Sequence, residues 1–291
     1  MNADKFKESV SLLAWGYNEE DLIEPFLDRA ITLLASTVDE FEIVFVNDGS
    51  TDRTGAIVDS YATREPRLKV IHHERNHDVG IALRRAVQSA SKAYLLWQTV
   101  DWSYDIKNLR IFLELTRHFD VIHGVRPIPE RLLSRIPLIR SVYRVKGRSD
   151  TFAKAFVSLA NYYVLRILFG APFNDFQNVT LYPRKLIQGM DHRGRSSFSN
   201  PEYLLKAYFS GARFLEVPIN FIPRTAGRAK GTRWRSVLRA IDDILTQWWI
   251  WGRKLRRNHR YDRWQIQRVA EPFKLPEPAL YLVLPLFADF P

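Results

Sequence analysis

The chain has 291 residues, 46% hydrophobic and 26% charged, with 43 Lys and Arg against 32 Asp and Glu, a formal charge of +11 and no cysteine. That mixture suits one large globular domain or two modest ones and excludes a disordered chain. The lack of thiols excludes a disulfide scaffold, a zinc–cysteine or iron–sulfur site and a thiol nucleophile, while the basic excess asks for an anionic partner: nucleic acid, nucleotide or a phospholipid surface.

The first nine residues are polar and charged, so a soluble or peripheral protein is expected. The longest uncharged apolar stretch, 278–288, is interrupted by Pro285 and falls short of the roughly 20 residues of a membrane-spanning helix. Residues 10–15 read as a buried strand, and Asn18 as the cap of a helix from about 19 to 35. Strand 42–46 precedes helix 53–63, strand 68–72 precedes helix 80–90, and strand 93–98 precedes helix 106–117. A fifth strand is expected over 120–123. Such alternation predicts an α/β fold with a mostly parallel sheet and helices on both faces, whose ligands lie beyond the carboxyl ends of the strands.

After Gly124 the pattern changes. Residues 126–148 are loop-like and basic, 151–169 and 200–210 are helical, 214–217 is a strand, and 235–254 is a long amphipathic helix. From 268 onward the chain is Pro-rich and apolar. There is no internal repeat and no clear linker.

Four constellations follow strands or fill loops. Asn47-Asp48-Gly49-Ser50-Thr51-Asp52 comes after the second strand, where a carboxylate can accept from a base or ribose and Ser50 or Asp52 can cap the next helix; it also suits an ordinary strand–turn–helix junction. Val100-Asp101 follows the fourth strand, where a carboxylate can hold a divalent ion against a diphosphate, or simply form a turn. Arg75-Asn76-His77-Asp78-Val79-Gly80 lies before the third helix, and His72, His73 and His77 are expected as solvated loop histidines. Arg224-Thr225-Ala226-Gly227-Arg228-Ala229-Lys230 gathers cations around a glycine, suiting a diphosphate or a solvated basic loop.

Taken together, these residues resemble glycosyltransferase family 2, in its polyprenyl- and dolichyl-phosphate sugar transferase branch. Leu12-Leu13-Ala14-Trp15-Gly16-Tyr17-Asn18-Glu19-Glu20 is similar to the family's opening strand, and Val46-Asn47-Asp48-Gly49-Ser50-Thr51-Asp52 to its second-strand signature. Arg75-Asn76 with Gly80 and Ala82, the Gly124-Val125-Arg126 turn, and Glu216-Val217-Pro218-Ile219 followed by Arg224, Gly227 and Lys230 resemble later motifs. Ser158, Asn161, Arg166, Gly170 and Asp175 fall at similar spacings, and the resemblance spans roughly residues 9–235. Three departures stand out: Thr99-Val100-Asp101 lacks the first carboxylate of the family's Asp-x-Asp, Asp78 replaces a glycine, and Ala229 replaces a serine. Asp105 is the one nearby carboxylate offered in compensation.

The resemblance implies a GT-A fold, a Rossmann-like nucleotide-diphosphosugar transferase, over 1–234, with 235–291 as an amphipathic membrane-interface helix and tail. It implies an inverting, metal-assisted transferase that uses a nucleotide-diphosphate sugar. Asn18, Glu19, Asp48, Asn76, Gly80, Thr99, Arg224 and Lys230 are expected at the donor, and Asp101 as catalytic ligand of Mg²⁺ or Mn²⁺. Arg126, Lys154 and Ser158 are expected at an acceptor phosphate, with Asp175 as a base or sugar contact. Residues 126–154 hold eight Lys and Arg against two carboxylates, which suits a phosphate-headed lipid acceptor. A sugar hydroxyl of a glycan or glycolipid is the alternative acceptor, and a non-catalytic nucleotide-sugar-binding scaffold the alternative of another class.

From Arg224 to Arg263 there are twelve Lys and Arg against three Asp, beside the Trp-rich helix. That pattern predicts peripheral attachment to an anionic membrane, at the cytoplasmic face, with a membrane-protein partner or homo-oligomer left open. No nucleic-acid recognition motif is legible, so nucleic acid is not expected as a partner.

Overall fold

The computed structural model describes residues 5–125, 152–220, 222, 234–262 and 264–269, with 152–159 and 234 as backbone. The first four strands are β1 (Val10–Gly16), β2 (Phe41–Asn47), β3 (Leu68–His72) and β4 (Tyr94–Trp97). They are linked by α1 (Glu20–Thr37), α2 (Thr54–Arg64) and α3 (Val79–Ser89). Next come α4 (Leu109–Leu115), β5 (Val121–Val125), α5 (Phe152–Phe169), β6 (Thr180–Pro183), α6 (Arg184–Ile187), α7 (Ser199–Phe209) and β7 (Phe214–Pro218). The described chain then runs through α8 (Trp234–Gln247), a π-helical turn (Trp248–Gly252), α9 (Arg253–Asn258) and β8 (Ile266–Arg268).

The strands form one sheet in the order β3-β2-β1-β4-β6-β5-β7-β8. Neighbours pair in parallel except at β6, which runs antiparallel to both β4 and β5. Strands buried on both faces read as continuous apolar runs, because successive side chains enter opposite layers. Leu12, Ala14, Ile43, Phe45 and Leu96 meet Ile23, Phe26 and Leu27 of α1 and Phe112 of α4. Their neighbours Leu13, Val44, Val46, Leu95 and Trp97 meet Ala82, Leu83 and Ala86 of α3, Phe169 of α5 and Leu204 of α7. One polar residue interrupts β1: Ser11 donates to the Glu42 carboxylate at 2.6 Å, which also accepts from the Ser91 amide at 2.6 Å.

The expected α/β architecture is therefore present, with local differences. The fourth helix is shorter than 106–117, because the chain after β4 folds into turns tied by Gln98 Nε2 donating to the Tyr104 carbonyl at 2.7 Å. The strands β6 and β8 are additional; each is only three or four residues long and draws its hydrogen bonds from distant partners. Residues 266–268, in the segment after 235, thus extend the main sheet.

The helix expected over 235–254 presents apolar residues on two sides. Trp248 meets Phe169 edge to face and Trp251 packs on it tilted, at centroid distances of 5.4 and 5.1 Å, with Ile244 buried beside them. Leu238, Ile241, Leu245 and Trp249 point outward, 47–68% exposed. No helix among the described residues is long and apolar enough to cross a membrane.

Candidate active site

The carboxyl ends of β1, β2 and β4 lie side by side, and the loops leaving them carry Asn18, Glu19, Asp48 and Thr99, half of the expected donor residues, together with Asp101. The β1 and β2 turns are locked together. Asn18 sits at φ +54, which turns its side chain toward the neighbouring turn; its Oδ1 accepts from the Thr51 amide at 2.8 Å, and its own amide donates to Ser50 Oγ at 2.9 Å. This corrects the expectation that Asn18 caps α1. The orphan amides there are satisfied from across the turn: Glu19 N–H donates to Thr54 Oγ1 at 2.9 Å, and Glu20 N–H to Asp52 Oδ2 at 3.2 Å. Asp52 also accepts from the Thr54 amide at 2.9 Å. Burial pushes its pKa up, but hydrogen bonds from Thr54, Glu20 and its own amide outweigh that and hold it below the usual carboxylate range.

Asp48 is 3% exposed at the end of β2. Its Oδ1 accepts from His73 Nδ1 at 2.7 Å and from the His77 amide at 3.0 Å; Oδ2 has no hydrogen-bond partner among the described residues. His73 is thus a partner of the carboxylate rather than a solvated loop histidine, a pairing that no local sequence pattern announces. The close approach depends on Gly49, at φ +71, where a Cβ would lie 2.3 Å from the Arg75 carbonyl carbon. No cluster of three or more His, Asp or Glu suited to a metal occurs among the described residues.

The β4 loop holds Thr99 and Asp101. Thr99 Oγ1 accepts from the Ser103 amide at 3.1 Å, and Asp101 Oδ1 accepts from Ser103 Oγ at 2.7 Å, so Ser103 orients both. Asp105 is engaged elsewhere, with Lys107 Nζ at 3.3 Å. In place of two carboxylates, this loop offers one oriented Asp. That suits Mg²⁺, which takes one or two protein carboxylates and fills its remaining positions with phosphate oxygens and water.

Asp175 belongs to a second loop on the same edge, just before β6. Its Oδ1 accepts from the amides of Phe176 and Gln177 at 2.9 and 3.1 Å, and its carbonyl accepts from His123 at 3.0 Å. Tyr104 joins the two loops by donating to the Gln177 carbonyl at 2.8 Å. Behind Asp175, the 1%-exposed Glu216 of β7 accepts from the amide and side chain of Asn174 at 2.6 and 2.5 Å and from Arg268 Nε at 2.8 Å. Sequence reasoning placed Glu216 in a motif but could not assign Arg268, 52 residues later, as its partner.

The other expected residues are distributed as follows. Asn76 is at the surface, accepting from the Asp78 amide at 3.2 Å. The Gly80 amide donates to the Arg195 carbonyl at 2.8 Å, so it is committed within the protein. A Cβ there would lie 2.1 Å from Ser199 Oγ. Lys154 and Ser158 stand on α5, with side chains outside the described residues. Arg126, Arg224 and Lys230 lie outside the described residues. A cavity of about 550 Å³ lined by Lys5, Phe6, Tyr94, Arg110 and Arg117 is at the opposite, amino-terminal end of β4, away from these loops.

Comparison with known proteins adds the family. The model described as glycosyl transferase family 2 matches residues 16–167, just over half of the chain. Glycosyltransferase AglD of Haloferax volcanii is 27% identical over 247 residues, covering 82% of this chain but only 37% of its own length. An undecaprenyl-phosphate mannosyltransferase of Micrococcus luteus is 24% identical over 221 residues, 74% of this chain and 84% of the relative. Among solved structures, a mannosyltransferase of Pyrobaculum calidifontis in complex with GDP-Man and Mn²⁺ superposes with a TM-score of 0.57 at 18% identity, over 88% of this chain and 66% of that one. The sheet order with its single reversed strand, and this likeness, establish the GT-A fold.

Proposed function

The chain belongs to glycosyl transferase family 2, and from that membership we propose that it transfers a sugar from a nucleotide-diphosphate sugar to a polyprenyl phosphate at a membrane surface. The observation that supports this best is the shared edge: Asp48 after β2 and Asp101 after β4 flank β1. Two strand spacings separate them, about 10 Å, a span suited to a base at one end and a diphosphate at the other.

In this mechanism Asp48 accepts from the base through Oδ2, with Oδ1 fixed by His73 and the His77 amide. Asp101, oriented by Ser103, would hold Mg²⁺ or Mn²⁺, which would supply positive charge against the diphosphate. Arg224 and Lys230 bear on the same charge, while Asn18 and Glu19 hold the β1 turn against the β2 turn. Transfer needs the acceptor aligned with the anomeric carbon as the diphosphate leaves. A phosphate monoester is already anionic and requires no base. Asp175, whose Oδ1 is spent on two amides, then positions the sugar. Arg126, Lys154 and Ser158 receive the acceptor phosphate.

The lipid acceptor draws support from the similar undecaprenyl-phosphate mannosyltransferase and from the basic 126–154 segment. Membrane contact draws support from the exposed Leu238, Ile241, Leu245 and Trp249, with the Arg253 guanidinium 3.6 Å from the Trp249 ring centroid. The test is nucleotide release from UDP- and GDP-sugars with undecaprenyl phosphate and Mn²⁺, with the lipid product followed in parallel. Turnover lost in Asp101→Ala, and a raised acceptor KM in Arg126→Ala, are expected. Release with a sugar hydroxyl but not with the lipid phosphate would move the acceptor to a glycan. Tight nucleotide binding without release would make the protein a binding scaffold.

A further inference from the structure

Asp78 is an unusual choice for its position. Its backbone lies at φ +73 and ψ 157, a region that residues other than glycine rarely adopt. It is also the N-cap of α3, where an Asp carboxylate normally accepts from the first-turn amides, yet it makes no such bond. The carboxylate instead turns outward and takes Arg239 of α8 through both oxygens, Nη1 donating at 2.9 and 2.8 Å. One turn along α8, Asp243 Oδ2 accepts from the amides of Arg195 and Ser196 at 2.9 and 2.7 Å. The Arg195 carbonyl in turn receives the Gly80 amide. The start of α3 is therefore tied to α8 twice, directly at Asp78 and, through Arg195, at Gly80. Immediately before Asp78 stands His77, whose amide holds Asp48 Oδ1.

We propose that Arg239 is a positioning residue for the donor: through Asp78 it holds the 73–78 loop in the conformation that presents Asp48 to the base. This rests on the assignment of Asp48 to the donor. Arg239 touches no substrate, and its effect is on donor affinity rather than on the chemical step. An exposed pair is weak, Arg239 being 60% and Asp78 40% exposed, so the expected change is modest, about fivefold in Kd.

The test is calorimetric binding of UDP and of GDP, each with Mn²⁺, to the full chain, with thermal melts of every variant. Arg239→Ala and Asp78→Gly are each expected to raise Kd about fivefold, Arg239→Lys less, and the double variant no more than either single one. Asp78→Gly also relieves the backbone, so its Tm should hold or rise while affinity falls, a combination that a merely structural pair does not produce. In turnover, donor KM should rise with kcat unchanged. Wild-type Kd in both single variants, alongside weakened binding in Asp48→Ala, would overturn the role of Arg239 and leave the donor site standing. Unchanged nucleotide affinity in Asp48→Ala would instead remove the donor assignment, and this inference with it.

Discussion

Replacing Glu216 by Ala tests how the Asp175 loop is held. The carboxylate is buried and receives three hydrogen bonds, two from Asn174 and one from Arg268, whose Nη2 also donates to the Pro172 carbonyl at 2.7 Å. Bonds to a charged group contribute about 1.5–3 kcal/mol each. The Arg268 side chain is 46% exposed and regains water once released, so its share is nearer 1 kcal/mol. The two Asn174 bonds are less easily replaced. The expected loss for Glu216→Ala is about 3–4 kcal/mol, about 5–7 °C in Tm for a chain of this size. Glu216→Gln should fall between, because its amide NH₂ must face either the Asn174 donors or Arg268. Urea unfolding at constant m-value measures the difference, and a cycle with Arg268→Ala should return a coupling of about 1 kcal/mol. A loss under about 1 kcal/mol for Glu216→Ala would refute the reasoning, since it would mean that the loop is held without the carboxylate.

Other outcomes follow from the same contacts. Glu42 is pushed up by burial, but the Ser11 hydroxyl, the Ser91 amide and hydroxyl, and Lys92 outweigh that and lower its pKa below 4.5. Its contribution to stability is therefore present above 4.5 and is lost as pH falls through the lower folded value; Glu42→Gln should flatten the acid limb of the unfolding midpoint, and an unaltered limb would count against the assignment. Gly80→Ala drives a Cβ against Ser199 Oγ and to 2.6 Å from the Gly194 carbonyl, so it should cost about 2–3 kcal/mol and raise hydrogen exchange over 194–199; a wild-type melt would contradict this. The pair Leu245→Ser and Trp249→Ser alters exposed side chains, so stability should move by less than about 0.5 kcal/mol each. Co-sedimentation with anionic liposomes should drop about tenfold, and equal binding to anionic and neutral vesicles would argue against a charged interface.

The parallel half of the fold was legible because its central strands are buried on both sides and each of its strands is followed by a helix. Leu12-Leu13-Ala14 and Ile43-Val44-Phe45-Val46 announce themselves as central strands. Thr180–Pro183 and Ile266–Arg268 do not, since strands so short owe their existence to partners 50 or more residues away in the chain. At the site, the motif positions of Asp48 and Asp101 were readable, but their environments were not. Asn18 carries the usual chemistry of a helix cap, yet a left-handed backbone sends it to Thr51 instead. His73 gains meaning only when Gly49 lets the two loops meet. Asp78 looked like a defect in a glycine motif until Arg239 supplied the reason for a carboxylate there.

The last strand gives the amphipathic helix a mechanical character. Phe214–Pro218 and Ile266–Arg268 pair in parallel, so the excursion containing α8 leaves the sheet at its carboxyl edge and crosses back to rejoin it one strand over, at the opposite edge. Asp78 and the Arg195–Ser196 amides add two struts midway. A segment fastened in this way acts as an outrigger rather than a swinging arm. Were its greasy flank to settle on a flat surface, the entire sheet would tilt with it, and the angle at which the edge carrying Asp48 and Asp101 faces that surface would be set by the frame itself.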